Sequence, residues 1–118
     1  MVISTLRFAP SPRRRSEAVE ILRSVVGPAA TQPGCASCRI YQEDGLDQAI
    51  VLCGYWETEE ALHAHVLSEL YLRVLAACEL SKQPPEFCFH HVSKTQGMEL
   101  VHQLREHGRE QPLSTPGR

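Results

Sequence analysis

Two apolar rhythms run through the chain, one of period two and one near 3.6. Val2 to Phe8 alternates, with Val2, Ser4, Leu6 and Phe8 on one side and Ile3, Thr5 and Arg7 on the other. That pattern predicts a strand. "APSPRRRS" breaks it with two prolines and two serines, and reads as a loop. Ala18, Ile21, Leu22, Val25, Val26 and Ala29 then recur three and four apart, the single stripe of an amphipathic helix. Ser16 is its expected N-cap, with Glu17 well placed against the positive helix end. Gly27-Pro28 falls within the stripe and predicts a kink or a restart.

"QPGC" reads as a turn and "CASCRIYQ" as a second strand. In the loop "EDGLD", Asp44-Gly45 favours positive φ and a reversal. "QAIVLCGYW" is then a third strand, paired with the second as a hairpin. Thr58 is the expected cap of the next helix, and Ser68 marks a second start. Leu70, Tyr71, Val74, Leu75, Ala77 and Cys78 continue the helical stripe, "KQPPE" stops it, and "FCFHHVS" is a fourth strand. The order β-α-β-β-α-β is the α+β, ferredoxin-like plan: a four-stranded antiparallel sheet with helices on one face.

The second and fourth strands carry apolar or mixed residues on both faces. A sheet covered on one side only would normally be polar on the other. The second face is therefore expected to meet another subunit. After Ser93, "GMELVHQLREHG" places Leu100, Val101 and Leu104 on one side of a short helix. Such a helix is marginal alone in water, so it is expected to dock on the body or a partner. "REQPLSTPGR" has the composition of a mobile terminus. The expected organisation is one domain over 1–94 and an extension over 95–118.

Composition narrows the function classes. The 118 residues, 42% hydrophobic and 22% charged, suit one ordinary soluble domain. A net charge of −2 supplies no positive excess for tracking phosphates, so no nucleic-acid partner is expected. No membrane span and no secretory signal are read in the chain. The five cysteines are odd in number, and three lie in apolar runs, which suits reduced thiols and a cytoplasmic location. Cys35 and Cys38 form a CxxC, but it opens a strand, where residues three apart point to opposite faces. A metal or disulfide role is disfavoured there. Arg13-Arg14-Arg15 reads as solvated charge, with an anion site as the lesser alternative.

The stretch "GYWETEEALHAH" holds the single tryptophan and turns from strand to helix. At about 100° per residue, Ala61, Leu62, His65 and Val66 share a sector while His63 faces water. Helical residues two apart cannot share a metal, and the i, i+4 spacing of a helical zinc site is missing. A buried imidazole at His65 needs a hydrogen-bond partner or a wet cavity. It is either a core histidine or a pocket group whose near-neutral pKa suits proton transfer. Trp56 shares its strand face with Ile50, Leu52 and Gly54. Gly54 leaves room beside the indole, for a ligand or for simple packing. His90 and His91 alternate across the fourth strand, one of them at a core, interface or pocket position.

"QPGCASCRIYQE" followed by "YWETEEALHAHVLSELY" resembles the antibiotic biosynthesis monooxygenase domain, over roughly residues 1–94 in element order. The resemblance is carried by Pro33-Gly34-Cys35, Tyr41, Trp56-Glu57, Glu59-Glu60-Ala61-Leu62 and His65, in that order. It implies a homodimer whose two sheets close into a dimeric α+β barrel. It also implies oxidation of a small phenol- or quinol-like aromatic compound by O2 without a cofactor. Haem-degrading relatives rely on a pocket asparagine, and this chain has no asparagine. In cofactor-free chemistry an electron-rich phenolate or enolate supplies an electron to O2 itself. The protein binds the ring, guides a proton and excludes water. On this reading Trp56, Tyr71 and Leu52 are apolar walls and His65 takes the phenolic proton. Tyr41 or Tyr55 hydrogen-bonds the developing oxyanion. The absence of a glycine-rich nucleotide fingerprint fits that chemistry. The alternatives are a binding protein of the same fold, or an isomerase or lyase using His65 as a proton shuttle.

Overall fold

The computed structural model describes residues 1–110. The elements run β1 (Val2–Phe8), α1 (Arg15–Ala30), β2 (Cys35–Gln42), β3 (Ile50–Trp56), α2 (Glu59–Leu67), α3 (Tyr71–Cys78), β4 (Glu86–His91) and α4 (Met98–Glu110). The sheet order is β2-β3-β1-β4, with every neighbouring pair antiparallel. This is the ferredoxin-like α+β plan, with its second helix divided in two at Ser68. Ser68 closes α2, its N–H and hydroxyl both donating to the His65 carbonyl, and α3 begins at Tyr71.

Strand parity decides which residues meet the helices. Val2, Ser4, Leu6 and Phe8 lie opposite Trp56, Gly54, Leu52 and Ile50. On the other flank, Leu6, Ser4 and Val2 lie opposite Phe87, Phe89 and His91. Leu6, Phe8 and Ile50 of this face pack with Leu22 and Val25 of α1 and Val74 of α3. Burying each such side chain is worth about 1.5–3 kcal/mol. A smaller cluster joins Val2, Trp56 and Leu62 at the far end.

Local chemistry sets the helix ends. The Arg14 carbonyl already accepts from the Ala18 N–H at 3.0 Å, so α1 starts before Ser16, the expected cap. Thr58 does cap α2, its hydroxyl accepting from the Ala61 N–H at 3.1 Å. Helix α1 passes through Pro28 to Ala30 with no restart. Proline has no N–H, so the Ser24 carbonyl loses its partner one turn back. The Arg73 guanidinium of α3 donates to that carbonyl at 3.2 Å instead. The β2–β3 reversal also departs from expectation. The residue with positive φ is Gln48, at 48°, rather than Gly45. The ladder closes at Glu43 and Ala49, so the reversal is spread over a longer loop than a two-residue turn.

Among the described residues three surfaces stay uncovered. On the outer sheet face, Ile3, Val51, Cys53 and Tyr55 have no helix over them. Along β4 every residue is exposed, including Phe87 and Phe89 on the helix side, because the helices stop short of this edge. Helix α4 forms as expected, but Met98, Val101 and Leu104 remain exposed. The expected docking of α4 on the body is therefore absent: no other element of the described residues packs substantially against it. Among the described residues no helix is long and apolar enough to cross a membrane. The tail read as a mobile terminus lies, from residue 111, outside the described residues.

Candidate functional site

A corner brings the indole and the imidazole together. Gly34 has φ 81°, a left-handed conformation that favours glycine. A Cβ there would stand 2.5 Å from the Ala61 Cβ, so the missing side chain lets α2 come down onto the turn. The Glu57 N–H donates to the Gly34 carbonyl at 2.8 Å and ties the end of β3 to it. One turn after Ala61 along α2, His65 then faces the sheet. Trp56 is fully buried and His65 is 5% exposed. Their rings stack, with centroids 4.5 Å apart and planes at 27°. Tyr71 meets the imidazole edge-on, at 5.2 Å and 89°.

Gly54 resolves into packing. A Cβ there would lie 2.6 Å from the indole Nε1 and 2.9 Å from the Ser4 Oγ. The space is thus filled by the Trp56 N–H, which donates to the Ser4 hydroxyl at 3.2 Å. His65 Nδ1 lies 2.6 Å from Gln32 Oε1. Burial pushes the imidazole pKa below its ordinary value of 6.5, so the ring is neutral at pH 7. Burial pushes the Tyr71 phenol up, which keeps it protonated. The site is apolar with one neutral base.

The interior hollow beside these rings is small. It is bounded by Ser4, Leu52, Trp56, His65, Tyr71 and Phe89 and has a volume of about 20 Å³, room for little more than one water. Next to it, between α2 and β4, lies an open groove of about 460 Å³, within the range of ligand pockets. Leu62 and Phe89 line both spaces. At the groove's mouth His91 of β4 and His63 of α2 approach Glu59 at 3.5 and 3.8 Å. On the other side of α2, His65 and Gln32 border an open depression of about 410 Å³.

Of the residues singled out from sequence, His65, Trp56, Leu52 and Tyr71 come together around the hollow. Tyr41 and Tyr55 do not. By strand parity they lie on the outer face, 49% and 38% exposed, with the sheet between them and His65. Within one chain they cannot bond a group held at the imidazole, which corrects the oxyanion role read for them. A second correction concerns the CxxC. A β-bulge between Cys35 and Ser37 shifts the register, so Cys35 and Cys38 lie opposite Trp56 and Gly54, on one face rather than two. Both thiols are free. Burial pushes the Cys38 thiol up to about 11 and also raises Cys35, so both stay protonated near neutrality. No group of three or more His, Cys, Asp or Glu among the described residues is placed to hold a metal.

Sequence reading missed Ser4, Gln32, Ser68, Phe87 and Phe89 as members of the site. Ser4 carried a signal, being a polar residue on the core face of β1. Gln32 carried none, because its approach depends on how α1 ends against α2.

Comparison with known proteins follows the same outline. The sequence profile of the antibiotic biosynthesis monooxygenase family matches residues 1–77. None of the curated proteins compared by sequence matches the chain. Among solved structures, the chain is similar to Rv0793 of Mycobacterium tuberculosis, with 25% identity, a TM-score of 0.74, and coverage of 81% of this chain and 98% of that one. It is similar to PA3566 of Pseudomonas aeruginosa at 18% identity and a TM-score of 0.68, covering 79% and 94% of the two chains. A variant of SnoaB, a cofactor-independent oxygenase of Streptomyces nogalater, is similar at 20% identity and a TM-score of 0.68, covering 80% and 94%.

Proposed function

Since this chain belongs to the antibiotic biosynthesis monooxygenase family, we propose that it is a cofactor-independent monooxygenase that oxidises a small phenol- or quinol-like compound with O2. The observation that carries this reading is a neutral base in contact with two aromatic rings, the His65 imidazole with Trp56 stacked on it and Tyr71 edge-on. SnoaB, of like fold, is a cofactor-independent oxygenase, which supports the same class of chemistry. The catalytic body is residues 1–94, with 95–118 as an extension. It works as a cytoplasmic homodimer joined across the outer sheet face, with Tyr41 and Tyr55 at that junction.

The guest enters from the groove between α2 and β4 and displaces Phe89 and Leu62, the side chains shared with the interior hollow. The imidazole of His65 takes the substrate proton. The resulting anion passes one electron to O2, and the radical pair closes a C–O bond. The peroxide is protonated from the imidazolium and loses water. The water takes its two hydrogens from the phenolic O–H and from the ring C–H at the carbon attacked, so the balance is HO–Ar–H + O2 → O=Ar=O + H2O and no outside reductant is needed. Leu52 and Trp56 keep water from the anion.

The test is O2 uptake by the full chain with a panel of naphthols and hydroquinones, in the presence of a chelator. Uptake matched one to one by product is expected, and His65→Ala should lower the rate by about 10²-fold or more. No uptake above spontaneous oxidation, or a His65→Ala rate equal to wild type, would overturn the proposal. A second reading, binding without turnover, is favoured by the open groove of about 460 Å³, which is large enough for a guest and is lined by Leu62 and Phe89 but not by His65. It gains if a panel compound raises the melting temperature while O2 uptake stays at background.

A further inference from the structure

The hydrogen bonds around His65 contain enough information to say which ring nitrogen carries the proton. Ser68 Oγ donates to the His65 carbonyl at 2.6 Å. A hydroxyl has one hydrogen, so toward any other neighbour Ser68 Oγ can only accept. The neighbour is the amide of Gln32, whose Nε2 lies 3.5 Å away and donates to it. With the amide nitrogen turned to Ser68, its oxygen faces the imidazole. Gln32 Oε1 cannot donate, so its 2.6 Å contact with His65 Nδ1 requires a proton on Nδ1. The lone pair of the neutral ring is then on Nε2, which has no hydrogen-bond partner among the described residues.

Gln32 is itself well held. Its N–H donates to the Ala29 carbonyl at 3.0 Å, and its carbonyl accepts from the Cys35 N–H at 3.1 Å. Among the described residues no other group competes for the imidazole. The indole N–H is taken by Ser4. Tyr71 reaches the ring only edge-on. The titratable groups around His65 are Tyr71 and Cys38 on the hollow side and Glu60 across the outer depression. Burial keeps the first two protonated. No carboxylate bonds the ring among the described residues.

We propose that Gln32, oriented by Ser68, is a positioning residue that fixes His65 as its Nδ1–H tautomer and makes Nε2 the proton-accepting nitrogen. This rests on the oxygenase reading for its role in turnover, but not for the tautomer itself. Neutral histidine in water favours the opposite tautomer, so the protein holds the ring in the less common form. An amide sets the tautomer without the charge that a carboxylate would bring. The base therefore stays weakly basic and returns its proton readily to the peroxide.

The test is long-range 1H–15N correlation NMR on the 15N-labelled full chain, with a pH titration and a pH–rate profile. Wild type should show a protonated Nδ1 and an unprotonated Nε2 at His65. Gln32→Leu should move the ring toward Nε2–H, and Ser68→Ala should do so in part. Gln32→Glu, nearly the same shape, should keep the tautomer and raise the ring's proton affinity about tenfold or more. The acid limb of the pH–rate profile should move up with it. A wild-type ring in the Nε2–H form, or a Gln32→Leu pattern unchanged from wild type, would overturn the assignment. The wild-type spectrum alone decides if a variant fails to fold. A fixed Nδ1–H tautomer in a chain that turns over no quinol leaves the assignment standing and removes the oxygenase reading.

Discussion

Trp56 and Phe89 point to the same side of one sheet, with only β1 between their strands, yet one is fully buried and the other 41% exposed. Parity gives both the same direction. Coverage separates them: α1, α2 and α3 lie toward β2 and β3, and none packs substantially on β4. In the buried half, Trp56 Nε1 and His65 Nδ1 each have a hydrogen-bond partner, Ser4 and Gln32. The open half has aromatic surface with water beside it. The candidate site lies on the border, where a small interior hollow and an open groove share Leu62 and Phe89. A binding site on this sheet thus needs one flank to fix its groups and another to admit a guest.

The largest effect should come from truncating the buried partner. Trp56→Ala should cost about 3–5 kcal/mol in urea unfolding, by loss of transfer energy and creation of a cavity. Phe89→Ala should cost about 1 kcal/mol, since much of its surface is already wet. Equal losses would break the contrast between the two halves. Gly54→Ala should come next, at about 1–3 kcal/mol, because the new methyl must displace the indole Nε1 or the Ser4 hydroxyl. A changed tryptophan emission should accompany the lower urea midpoint. The smallest effect is electrostatic. His65 holds its proton less tightly folded than unfolded, so acid unfolding takes up a proton there. That contribution to stability is complete above pH 6.5 and is lost as pH falls through the folded pKa. His65→Phe should flatten this part of the stability–pH curve, read from urea midpoints between pH 5 and 7.

The sequence was informative where one local rule decides. Alternation placed Val2, Ser4, Leu6 and Phe8 on one face, and a threonine before two glutamates marked the start of α2. Helical period put His65 inward and His63 outward, since the 100° step is fixed by geometry. Reading failed where two elements meet. A bulge, invisible in composition, turned Cys35 onto the face of Cys38. Gln32 looked like a turn residue, and only the approach of α1's end to α2 gives it an imidazole to bond. Tyr41 and Tyr55 were assigned to a pocket by residue type, and their strand parity already argued against it. Phe87 and Phe89 were read as apolar strand residues. Their exposure follows from where the helices stop, which no single-strand pattern encodes.

Pro28 has a further consequence through the carbonyl it leaves unpaired. Because Arg73 takes up that oxygen, the placement of α3 leans on a gap in the bonding of α1. Tyr71, whose ring meets His65, stands two residues before the arginine. A designer seeking a sturdier first helix would reach for alanine at position 28. That change would give the Ser24 carbonyl a second donor, and the helix N–H would then compete with the Arg73 guanidinium that ties the tyrosine's turn to α1.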